Sequence, residues 1–161
     1  MILSARSSWL PGADRVRAIS RLDSPPDLLL ILRILVFAAV VPLLTRTKLT
    51  WWESFAGGRH TARQVVAPEA ERKTAKYVDA VLVAFRPVVR PGCLVRGLTL
   101  YHFLSQAGVD VSLSFGVGKV NGAFTGHCWL VKDGRPFLEP DQPNLVYTET
   151  FRLPLVGEAE A

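Results

Sequence analysis

The chain has 161 residues, of which 49% are hydrophobic and 20% charged, enough for one domain with a proper core and too apolar for a disordered chain. A net charge of +5 would suit nucleic acid or anionic lipid, yet the basic residues are scattered, with no dense run and no nucleic-acid motif, so no nucleic-acid partner is expected. Two cysteines, Cys93 and Cys128, are too few for a disulfide framework. The spacings that hold zinc are missing, so no metal or other cofactor is expected, and the composition fits a reducing, cytoplasmic compartment.

Residues 1–26 are polar, contain arginines and are punctuated by Pro11-Gly12 and Pro25-Pro26, which predicts a flexible N-terminal segment. They do not read as a signal peptide, because the apolar stretch begins only around Leu28 and no small-residue cleavage site follows it. One domain is expected over 27–154, with a hydrophobic helix in 27–50, a catalytic core over 68–141 and a disordered tail at 155–161. Asp27 is placed to cap a helix through Leu28–Leu44. That run is apolar almost all round, but it is short for a membrane span and carries Arg33. Arg46, Lys48 and the pair Trp51-Trp52 follow it. It reads either as a buried helix against the core or as a helix in contact with a membrane.

Ala56-Gly57-Gly58 reads as a linker. Glu69–Phe85 has acidic residues in its first turn and Tyr77, Val78, Val81, Leu82 and Phe85 at helical spacing, and Pro87 ends it. Gly92–Ala107 is the third predicted helix, with a wide apolar face and Gly108 as its stop. Val109–Phe115 alternates as a half-buried strand does. Gly116, Gly118 and Asn121-Gly122 read as a loop, and His127–Lys132 as the next strand. Asp133-Gly134 marks a hairpin turn, Arg135–Glu139 returns, and Leu145–Phe151 adds a short edge strand. Helices followed by a small antiparallel sheet make an α+β fold.

The chemistry-bearing candidates are Cys93, His127 and Glu139. A thiol at a helix N-terminus meets unsatisfied N–H groups and the positive end of the helix dipole, which favour thiolate. The same N–H groups are available to an oxyanion. His127 lies six residues before Asp133 and Glu139 five after Gly134, so across the hairpin they are neighbours within a residue of register. A carboxylate there would hold the imidazole in the tautomer a base needs. Cys128, inside an apolar strand, reads as a buried small side chain.

Cys93-Leu94-Val95-Arg96-Gly97-Leu98-Thr99-Leu100 resembles a C-L-x-R-[SG]-L-x-L signature, and the chain continues through Phe115-Gly116-Val117-Gly118 to Gly126-His127-Cys128-Trp129. Over about 68–141 it resembles the transglutaminase-like cysteine leader peptidase of lasso peptide biosynthesis, the B protein, which usually reads H-A-W where this chain has His127-Cys128-Trp129. The resemblance implies a papain/transglutaminase-like core. It also implies Cys93 as nucleophile, His127 as base and then acid, and Glu139, with Asp141 in competition, as the orienting acid. Longer members begin with a leader-binding domain, for which there is no room ahead of Leu28. The resemblance therefore implies the stand-alone peptidase half of a split system. Its partners would be a precursor peptide as substrate, a separate leader-binding protein and a lasso cyclase resembling asparagine synthetases. Two other readings stay open: acyl transfer to an amine by the same residues, and a non-catalytic membrane-associated scaffold.

Overall fold

The computed structural model describes residues 25–44, 68–85, 89, 92–139 and 142–154. The expectations for residues 1–24, for Arg46, Lys48, Trp51 and Trp52, for the Gly57-Gly58 linker, for Asp141 and for the tail from 155 lie outside the described residues. Among the described residues three helices precede a four-stranded antiparallel sheet, the α+β order expected from the sequence.

Helix α1 spans Pro25–Leu44, so Asp27 sits inside the first turn instead of capping it from outside. There it accepts a hydrogen bond from Tyr77 Oη at 3.1 Å and pairs with Lys73 at 2.8 Å, tying α1 to helix α2, Pro68–Ala84. Ile31, Ile34, Ala38 and Val41 recur on one stripe of α1 and are buried. Leu28, Leu29, Leu32 and Val36, on the other stripe, are each more than half exposed. Arg33 donates to Gln106 at 3.0 Å. Among the described residues no helix is long and apolar enough to cross a membrane.

Helix α3, Cys93–Gln106, packs against α1, α2 and the sheet, which is why Val95–Tyr101 are all buried. Gly108, at φ +86°, ends it. Gly108 and Val109 return their N–H groups to Ser105 and Leu104 carbonyls, the paired closure that a left-handed residue allows at a helix end.

The sheet runs β3-β2-β1-β4, with β1 at Ser112–Val120, β2 at Ala123–Lys132, β3 at Arg135–Phe137 and β4 at Thr148–Leu153. Both tight hairpins use two residues at positive φ, Asn121-Gly122 and Asp133-Gly134, the backbone whose twist matches paired strands. Three expectations are corrected here. Gly116 and Gly118 are strand residues, not loop. A Cβ on Gly116 would lie 2.7 Å from the Thr148 carbonyl oxygen and 2.8 Å from the Trp129 ring, so glycine marks close strand approach there. The last strand begins at Thr148, after a single 3-10 turn over Pro143–Leu145. Strand β3 stops at Phe137, because Leu138 turns to φ +57°, and Glu139 leaves the sheet.

Candidate active site

Helix α3 begins at Cys93, with Gly92 as an extended N-cap and no side-chain cap. The first-turn N–H groups are therefore not used by a capping side chain. Cys93 is half-buried. On the sheet, His127 lies midway along β2, opposite Gly116, and Cys128 lies opposite Phe115. Strand alternation turns Cys128 toward the core beneath α3, where it is buried. A Cβ on Gly97, one turn along from Cys93, would lie 3.2 Å from the Cys128 sulfur. Glycine at that position lets the strand thiol come up against the helix face that carries Cys93.

The Cys93 sulfur lies close enough to Cys128 and His127 for both to act on its titration. Its thiol is lowered to about 4, by the Cys128 hydrogen bond first and by the His127 hydrogen bond and charge after it, against the opposing effect of burial. Cys128 is pushed the other way, well above the ordinary thiol range, by its hydrogen bond to Cys93 and by burial. The two sulfurs share one negative charge. It rests on Cys93, which is less buried, stands at the positive end of a helix and faces the imidazole.

His127 is held by rings. It stacks on Trp129, with centroids 6.1 Å apart, and meets Tyr147 at 5.0 Å. Trp129 and Tyr147 also line an open cleft of about 350 Å³, with Thr148 and Arg152 among its walls. Cys93 is not in those walls, so the cleft adjoins the His127 side of the site and does not contain the thiol.

Glu139 is brought near both groups, since the charges of His127 and Cys93 both act on it. Its hydrogen bond, however, is accepted from Arg96 Nη1 at 3.1 Å and not from His127. Two steps explain the difference from a simple cross-strand pair. Extending the β2–β3 register one pair at a time beyond Leu130–Phe137 would set Glu139 against Cys128, and Leu138 then breaks the ladder. Arg96 completes a buried junction, donating to Asp79 at 2.7 Å and to the Leu138 carbonyl at 2.9 Å. Burial raises the Glu139 carboxyl to about 7, with Arg96 and then His127 pulling it back down. Among the described residues no cluster of His, Cys, Asp and Glu is arranged to hold a metal.

A family model for the transglutaminase-like superfamily matches residues 28–152. The chain belongs to that superfamily. Neither a curated protein nor a solved structure matches it. Membership of the transglutaminase-like superfamily is consistent with thiol-based peptide hydrolysis or acyl transfer, chemistries that need an activated sulfur beside a proton carrier. The expected residues Cys93 and His127 come together; Glu139 joins them through a junction centred on Arg96. Cys128, Asp79 and Tyr147 were not legible as parts of the site. The adjacency of Cys128 to His127 offered no signal, because alternation sends neighbouring residues to opposite faces.

Proposed function

We propose that this chain is a cysteine endopeptidase that removes the leader from a ribosomally made precursor peptide during lasso peptide maturation. The observation that carries the reading is a helix N-terminal thiol lowered to about 4 within reach of a ring-held imidazole. The Cys93-to-Leu100 signature supports the narrower assignment. Cys93 thiolate attacks the scissile carbonyl, and the C–N bond breaks as His127 protonates the departing amine. First-turn N–H groups of α3 stabilise the oxyanion. Water, deprotonated by His127, then cleaves the thioester and regenerates the thiolate. Glu139 acts at one remove, as a carboxyl fixed by Arg96 beside the imidazole. A separate leader-binding protein presents the precursor, and a cyclase resembling asparagine synthetases uses the freed core peptide.

The test is reconstitution with any short precursor peptide and leader-binding protein found to be encoded beside this gene, read by mass spectrometry. Two fragments whose masses sum to the precursor plus one water support the reading, provided that Cys93→Ala yields none. An amide-linked product that has lost ammonia would point to acyl transfer. Equal cleavage by Cys93→Ala would sink the assignment.

A further inference from the structure

The chain has only two cysteines, 35 positions apart, and the fold sets them on facing elements, Cys93 at the start of α3 and Cys128 on β2 beneath its first turn. A buried core has many places for a small apolar side chain, but Cys128 occupies the one beneath the first turn of α3. Gly97 leaves the space for it: even a methyl group there would sit 3.2 Å from the Cys128 sulfur and 3.0 Å from Leu113. Beside that packing, each thiol is the first influence on the other, lowering Cys93 and raising Cys128. Cys93 is half-exposed and Cys128 buried, so a small oxidant meets Cys93 first.

We propose that Cys93 and Cys128 form a reversible oxidation site for hydroperoxides, in which Cys128 resolves an oxidised Cys93 as an intramolecular disulfide. In the first step the Cys93 thiolate attacks the distal oxygen of the hydroperoxide. The O–O bond breaks, the alcohol (or water) leaves with a proton from solvent, and Cys93 becomes a sulfenic acid. In the second step the Cys128 sulfur attacks the Cys93 sulfur, the S–O bond breaks, and the Cys128 proton leaves with the hydroxide as water. The dithiol loses two electrons and the hydroperoxide gains them. The order is favoured by charge. The negative Cys93 is one of the groups that keep Cys128 protonated, and that charge vanishes once Cys93 is a neutral sulfenic acid. The chain holds no third thiol that would compete within the molecule.

The consequence is that a half-buried, acidic thiol is shielded from irreversible oxidation to sulfinic acid and is recovered by a thiol reductant. The proposal rests on Cys93 being a thiolate, not on the identity of its substrate.

The experiment uses the full chain, wild type and Cys128→Ala, with Cys128→Ser as the variant closest in size. Each is treated with hydrogen peroxide, and intact mass is measured before and after dithiothreitol. Wild type is expected to lose two hydrogens as a monomer, to lose all iodoacetamide labelling, and to regain both with dithiothreitol. The variants are expected to gain oxygen atoms that dithiothreitol does not fully remove. Oxygen gain by wild type, or a disulfide between two chains in place of the internal one, would overturn the proposal. So would no change in wild-type mass. Iodoacetamide labelling of untreated protein separates the two levels. Fast labelling with no internal disulfide removes this proposal alone, whereas slow labelling removes the nucleophile as well.

Discussion

Replacing Arg96 by Met tests how the buried junction holds the acid. Its side chain is 8% exposed and that of Glu139 only 6%, so solvent screens the pair little. Removing one partner of such a pair leaves a buried charge and costs about 3–5 kcal/mol. The cost depends on pH, and its sign follows from Glu139. A carboxyl raised from 4.5 to about 7 binds its proton more tightly when folded. Its protonated form is therefore favoured in the fold, and stability declines as pH rises from 4.5 through 7, by roughly 3 kcal/mol in all. Without Arg96 the Glu139 carboxyl rises further. In urea denaturation at pH 8, Arg96→Met should lose about 3–5 kcal/mol. At pH 5 Glu139 is neutral, and the loss should shrink to about 1.5–3 kcal/mol, the worth of the charge-assisted bond to Asp79. Adding Glu139→Gln to Arg96→Met should recover stability at pH 8 and little at pH 5. Equal losses at the two pH values, with no recovery from Gln, would refute a buried charge as the cause.

Cys128→Ala should move the pH midpoint of Cys93 alkylation upward, because the Cys128 hydrogen bond is the first of the influences that lower it; a midpoint equal to wild type would contradict this. Gly116→Ala should destabilise by about 1–3 kcal/mol, since its methyl would meet the Thr148 backbone oxygen at 2.7 Å, measurable by thermal unfolding. Gly97→Ala should cost less, because it meets the movable ends of Leu113 and Cys128 and gains about 1 kcal/mol of helix propensity; the opposite order would be inconsistent with these contacts.

Much of the layout was legible because periodicity and breakers are local. The three helices follow from apolar spacing, and Gly108 and Asp133-Gly134 fall where left-handed backbone is needed. Cys93 was legible as a helix N-terminal thiol because Pro91-Gly92 precedes a run whose apolar residues recur at helical spacing. Strand contacts were harder. Gly116 and Gly118 look like loop formers in sequence, yet they are in β1 because the Thr148 and Val146 carbonyls and the Trp129 and Tyr147 rings crowd against them. No local pattern shows that crowding. The partner of Glu139 was misjudged for a similar reason. Counting residues from the turn assumes an unbroken ladder, and the left-handed Leu138 sends Glu139 to Arg96. Cys128 looked inert because burial, read alone, is the usual fate of a small thiol; its contact with Cys93 is a property of the fold.

The most direct test of the central claim is the pH dependence of iodoacetamide labelling at Cys93 in wild type and His127→Ala. Labelling of Cys93 is resolved by peptide mapping. The thiolate–imidazole account predicts full-rate labelling of wild type at neutral pH, falling only in acid with a midpoint of about 4, and an upward shift of that midpoint in His127→Ala. Slow labelling of both proteins, with midpoints at or above the free-thiol value of about 8.5, would contradict it.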